Sequence, residues 1–64
     1  MKVLLADGSP AFRTFMRQIL EVAWDLNVAG QASDAEEVVR LAQQLKPDVV
    51  LMDIDLPGLI DCPA

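Results

Sequence analysis

The chain has 64 residues, a net charge of −5, 53% hydrophobic residues and a mean hydropathy of +0.32. A chain this short forms one domain at most, here residues 1–64, and hides only about 60% of its unfolded surface. The few basic residues are scattered, which argues against nucleic-acid binding. The single cysteine, Cys62, excludes an internal disulfide framework. No apolar run is long enough to cross a membrane. We therefore expect a cytoplasmic protein with no membrane or nucleic-acid partner.

The first part of the chain predicts a buried strand and an amphipathic helix. Residues 3–6 are an unbroken apolar run that ends at Asp7, which is typical of a parallel strand. Ser9 and Pro10 predict a helix N-cap and the first helical position. Apolar residues then recur at helical spacing and predict a core-facing stripe: Phe12, Phe15, Met16, Ile19, Leu20 and Ala23. Three arginines are expected on solvated helix faces: Arg13, Arg17 and Arg40.

The second part predicts strand, helix and strand again. Residues 27–32 indicate an edge strand, and Ser33 with Glu36 predicts a capping box at the start of a second helix. Pro47 ends that helix, and residues 49–52 form a short apolar strand that stops at Asp53. A Pro-Gly turn follows, in which Gly58 is expected at positive φ. Residues 59–64 predict no element, so we treat them as an irregular tail.

The order strand, helix, strand, helix, strand predicts an α/β half-domain with parallel strands and right-handed crossovers. Asp7 and Asp53 each end a strand, so both carboxylates reach one sheet edge if the strands are neighbours. With Asp55 nearby, these oxygens suit Mg²⁺, and a carboxylate beside such a cation can accept a phosphoryl group. The alternative is that Asp7 and Asp55 are only turn or cap residues.

The stretches KVLLADGSPAFR and VAGQASDAEEVVRLAQQLKPDVVLMDIDLPG resemble the amino-terminal half of a bacterial response-regulator receiver domain of the NarL/FixJ type. The resemblance covers nearly all of residues 2–58. It implies a truncated flavodoxin-like (CheY-like) fold with strand order 2-1-3. It also implies that Asp53 accepts phosphate from a sensor histidine kinase. Mg²⁺ would be held at Asp7, Asp53 and the backbone carbonyl of Asp55.

The chain departs from the family pattern in two respects. Gly8 stands where the family has a second acidic residue, so Mg²⁺ binding is expected to be weak or absent unless the Asp55 side chain compensates. The sequence also stops before the family's last two strands, which carry the hydroxyl residue and the lysine that read the phosphate. We therefore expect a phosphorelay receiver module impaired by truncation and by Gly8.

The alternative is a phosphorylation-independent dimerisation module that keeps a relic acidic site. The third strand would leave an apolar edge unpaired, and such an edge recruits another strand. A homodimer that pairs this edge antiparallel with its copy, or that exchanges elements, would complete the sheet. An independent enzyme is disfavoured, because the chain has no histidine and no phosphate-binding glycine loop, and its length predicts no large pocket.

Overall fold

The computed structural model describes residues 1–58, so the predictions for Cys62 and for the tail lie outside the described residues. All five predicted elements are present: β1 (Lys2–Ala6), α1 (Pro10–Ala23), β2 (Asn27–Ala32), α2 (Ala35–Leu45) and β3 (Val49–Met52). The α1 start is as predicted, since the Ser9 hydroxyl accepts the Phe12 N–H and Pro10 follows the cap.

The three strands form one parallel sheet in the order β2-β1-β3, which confirms the predicted topology. Leu5 lies opposite Leu51 on β3, whereas a bulge shifts the β1–β2 register between Val3 and Leu4. The first crossover, through α1, leads from β1 to β2 at one edge of the sheet, and the second, through α2, leads from β2 to β3 at the other edge. Because both crossovers are expected to be right-handed, α1 and α2 pack on opposite faces of the sheet.

The better-filled core lies between the sheet and α2. Its buried members come from three elements and the turn after β3: Leu4, Ala6, Ala32, Val38 and Leu56. Leu56 is only 3% exposed, although its place in a predicted turn did not indicate a core residue. The turn after β3 is therefore anchored by an apolar side chain.

The α1 face of the sheet is less well covered, and the predicted stripe on α1 is only partly correct. Leu20 is buried, but Phe12 is 46% exposed and Phe15 is 57% exposed, so placing these two in the core was wrong. Both lie in the first half of α1, and this helix contacts β2 and β1 but not β3 within residues 1–58. Helical spacing predicted a common face for these residues but not what covers it.

The second helix is capped one residue later than predicted. Asp34, not Ser33, is the N-cap, and its carboxylate accepts the Glu37 N–H at 2.8 Å. Glu37, rather than Glu36, reaches back to the Ser33 N–H, also at 2.8 Å. A carboxylate accepts the N-terminal N–H groups of a helix well because it also interacts favourably with the helix dipole.

The turn after β3 is tied to the start of α2. The Ala35 N–H donates to the Pro57 carbonyl at 2.8 Å, and the Leu56 N–H donates to the Asp53 carbonyl at 3.1 Å. Gly58 has φ of 82°, as predicted, in the region that glycine adopts without steric cost. These bonds fix the backbone that leaves the carboxyl end of β3.

Candidate functional site

The two carboxylates that end β1 and β3 lie at the same edge of the sheet. Ala6 pairs with Met52, so Asp7 and Asp53 follow directly opposed residues. The Asp53 N–H donates to the Ala6 carbonyl at 3.0 Å, which continues the ladder to the start of the turn. The predicted adjacency of the two strand ends is therefore confirmed.

Asp7 is held by several hydrogen bonds. Its N–H donates to the Ala32 carbonyl at 3.0 Å, and its Oδ1 accepts the Ser9 N–H at 2.8 Å. The residue is only 8% exposed, which is unusual for a carboxylate unless it is hydrogen-bonded. Asp7 thus acts as a turn acceptor through one oxygen, while its second oxygen remains for another interaction.

Asp53 is half-buried, and the following turn restrains its carboxylate. Its Oδ1 accepts the Asp55 N–H at 3.2 Å, a typical short-range turn bond of aspartate. The Asp55 side chain itself is exposed, so the contact that Asp55 makes here uses its backbone. The carboxylate that closes this turn is therefore that of Asp53, not that of Asp55.

Gly8 packs against the Pro57 ring, with room for a Cβ atom. A Cβ atom built at this position would lie 3.5 Å from Pro57 Cδ, which is an ordinary contact distance. The backbone of Gly8 is not in the positive-φ region, so a larger residue meets no backbone strain there. A residue with a side chain at position 8 therefore meets no clash at its Cβ atom.

The residues present suit a sparsely ligated hard cation. Within residues 1–58, no three or more Asp, Glu, His or Cys side chains are grouped to hold a metal ion. Asp7 and Asp53 offer two carboxylates at one edge, and Mg²⁺ commonly binds through one or two carboxylates while keeping several waters. Metal binding by Asp7, Asp53 and Asp55 stays a prediction, with Asp55 limited to its backbone carbonyl unless its side chain turns inward.

Arg13 was missed as a site residue because it was expected on a solvated face, and that expectation was wrong. Its side chain is partly buried, its Nη1 donates to the Asp7 carbonyl, and its Nε donates to Gln31 Oε1 at 3.3 Å. By contrast, Arg40 forms an exposed ion pair with Glu37 at 3.3 Å. Helical periodicity places a residue on a face but does not indicate which carbonyl its side chain reaches.

A cleft of about 670 Å³ opens between α1 and β3, beside both carboxylates. The expectation of no large pocket was therefore wrong. Its walls are mostly apolar, and Asp7 and Asp53 line it together with apolar residues of β1, α1 and β3: Leu5, Phe12, Met16, Leu51 and Met52. The cleft exists because the start of α1 does not cover β3.

The fold is an α/β half-domain with acidic residues after two neighbouring parallel strands, and comparison with known proteins shows its family. The family model for the response regulator receiver domain matches residues 3–61. The chain belongs to the response regulator receiver domain family.

The curated relatives are much longer than this chain. It is 40% identical over 57 residues to the nitrate/nitrite response regulator protein NarL of Escherichia coli K12, covering 89% of this chain and 26% of NarL. It is 44% identical over 59 residues to the response regulator GacA of Pseudomonas aeruginosa, covering 92% of this chain and 28% of GacA.

One group of relatives consists of enzymes. The chain is 46% identical over 57 residues to a protein-glutamate methylesterase/protein-glutamine glutaminase of Syntrophomonas wolfei, covering 89% of this chain and 16% of that protein. The family model that matches residues 3–61 of this chain is that of the receiver domain. None of the helices in residues 1–58 is long and apolar enough to span a membrane.

Introducing a second carboxylate tests how far the site is assembled. We expect Gly8→Asp to tighten Mg²⁺ binding by about tenfold, because its Cβ meets no clash and its carboxylate adds a charged oxygen ligand next to Asp7 in the chain. Titration of Mg²⁺ followed by backbone amide NMR shifts measures the change. Gly8→Asn is the matched control of similar size, and it should tighten binding less. Equal affinity in the parent and Gly8→Asp would mean that Asp7 and position 8 do not share a cation site.

Proposed function

We propose that the chain is the receiver module of a two-component phosphorelay, in which Asp53 accepts a phosphoryl group from a sensor histidine kinase in the cytoplasm. The observation that supports this most is the position of Asp53. It ends β3 directly beside Asp7, and the Asp55 N–H restrains one of its carboxylate oxygens.

The proposed step is an in-line transfer from phosphohistidine to Asp53. The free carboxylate oxygen, Oδ2, attacks phosphorus, and a P–O bond forms as the P–N bond breaks. The leaving imidazole nitrogen keeps the electron pair and takes a proton from water. Asp7 and Asp53 would hold Mg²⁺, which screens the negative charge of the carboxylate and of the incoming phosphoryl group. The chain itself supplies the nucleophile, its orientation and the adjoining carboxylate.

A small phosphodonor tests the proposal without knowledge of the kinase. The chain is incubated with acetyl phosphate and Mg²⁺, and intact mass spectrometry detects a single phosphoryl adduct. We expect the adduct to form with Mg²⁺ and to disappear when EDTA removes the metal, because the uncompensated carboxylates then repel the donor. A complete receiver domain labelled in parallel serves as the positive control. No adduct under conditions that label this control would contradict the proposal.

The second candidate is a phosphorylation-independent module that pairs with a copy of itself. It is favoured by the outer edge of β3, which has no neighbouring strand within residues 1–58, and by apolar side chains near that edge. Met52 is 45% exposed and Ile54 is 71% exposed. Exposed apolar strand edges favour pairing with another strand. Sedimentation that finds a well-folded monomer at micromolar concentration would contradict this candidate.

A further inference from the structure

Arg13 connects three elements around the acidic edge. It lies in the first half of α1, and its backbone N–H donates to the Ser9 carbonyl at 3.0 Å. Its guanidinium donates to the carbonyl of Asp7 at the end of β1 and to the side chain of Gln31 near the end of β2. Two donors of one planar group thus hold two strand ends at once, which the single ammonium of lysine does less well.

The hydrogen bond from Arg13 acts on the backbone carbonyl of Asp7. The Asp7 N–H is bound to the Ala32 carbonyl, and Oδ1 is bound to the Ser9 N–H. Arg13 binds the Asp7 carbonyl, which fixes the peptide plane between Asp7 and Gly8. Gly8 has no side chain to restrain the backbone, so the orientation of this peptide plane depends on hydrogen bonds from neighbouring residues.

We propose that Arg13 is a positioning residue, which orients the Asp7 carboxylate toward the position of a divalent cation beside Asp53. This inference rests on the proposed function for the identity of the ligand but not for the geometry of the turn. Because position 8 is glycine, Asp7 is the sole carboxylate of the turn that joins β1 to α1. A small rotation of Asp7 therefore removes a larger share of the metal ligands than it would if position 8 also carried a carboxylate. Partners that orient a metal ligand commonly change metal affinity about tenfold or more when they are lost.

The first test measures the turn itself and needs no metal. Amide hydrogen exchange is followed at Ser9, whose N–H donates to Asp7 Oδ1, and at Leu26, whose N–H donates to the Leu20 carbonyl away from the site. Arg13→Met should speed exchange at Ser9 by about tenfold relative to Leu26, as expected for loss of a charge-assisted hydrogen bond. A purely stabilising role would speed exchange at both amides equally, and that result would overturn the inference.

The second test measures Mg²⁺ affinity with matched variants. Arg13→Met should weaken binding of Mg²⁺ about tenfold. Arg13→Lys keeps the positive charge but not the planar group with two separate donors. Its Mg²⁺ affinity should lie between those of Arg13→Met and the parent. Arg17→Met removes an exposed arginine one turn further along the same helix and should leave the affinity unchanged.

The two tests separate failure of this inference from failure of the proposed function. Mg²⁺ affinity that is equal in Arg13→Met and the parent overturns the positioning role, even if Asp53 is phosphorylated. A parent that binds Mg²⁺ but forms no phosphoryl adduct contradicts the proposed function and leaves the positioning role intact. A parent that binds no Mg²⁺ overturns the cation part of the role, whatever the exchange at Ser9 shows.

Discussion

Asp53→Asn should abolish the phosphoryl adduct that acetyl phosphate and Mg²⁺ give with the parent chain. A carboxamide lacks the anionic oxygen that attacks phosphorus, and it also removes one of the two carboxylates expected to hold the metal. The fold should survive, because the amide oxygen still accepts the Asp55 N–H that Asp53 Oδ1 accepts in the parent. Intact mass spectrometry measures the labelled fraction, and circular dichroism checks the fold.

Asp55→Asn is the matched control for this variant, on the same turn and with the same chemical change. The exposed Asp55 side chain makes no hydrogen bond within residues 1–58, and the contact of this residue with Asp53 uses its backbone N–H. We therefore expect Asp55→Asn to be labelled like the parent. Loss of the adduct in Asp55→Asn but not in Asp53→Asn would indicate that Asp55 is the acceptor or a metal ligand. That result would contradict the assignment of Asp53 as the acceptor.

Leu56→Ala should destabilise the chain by about 3 kcal/mol, the range seen for leucine truncation in a packed core. Leu56 is 3% exposed and packs with Leu4 and Val38 between the sheet and α2. Small domains have unfolding free energies near the lower end of about 5–15 kcal/mol, so this loss is a large part of the total. Urea unfolding monitored by circular dichroism measures the free energy of unfolding.

Ile54→Ala provides the control two residues earlier, since Ile54 is 71% exposed. We expect this change to alter the free energy of unfolding by less than about 0.5 kcal/mol. Both variants remove a branched aliphatic side chain from the same turn and differ mainly in burial. Equal destabilisation by the two substitutions would mean that Leu56 does not anchor the turn in the core.

The elements and their order were predictable because each has a local signal. The bounds predicted for β2 and β3 agree with the structure, and Ser9 caps α1 as its sequence position indicates. The β2-β1-β3 order followed from the resemblance to receiver domains rather than from periodicity. The adjacency of Asp7 and Asp53 then follows from that order, since both residues end neighbouring parallel strands.

What was not predictable depends on distances between parts of the chain that are remote in sequence. Leu56 is buried because it packs with residues of β1, β2 and α2, and Arg13 is partly buried because it reaches the end of β1. Phe12 and Phe15 have the spacing of core residues but remain exposed where α1 leaves β3 uncovered. The Asp34 cap differs from the predicted Ser33 cap by a single residue, and adjacent polar residues make that choice ambiguous in the sequence.

The position of the phosphoryl group tests the central claim most directly. After labelling with acetyl phosphate and Mg²⁺, borohydride reduces an acyl phosphate to an alcohol, which turns a phosphorylated aspartate into homoserine. Peptide mass spectrometry then locates the modified residue. We predict homoserine at position 53 and at no other aspartate. Modification at Asp7 or Asp55, or a borohydride-resistant phosphate on a hydroxyl residue such as Ser9, would contradict the assignment of Asp53 as the acceptor.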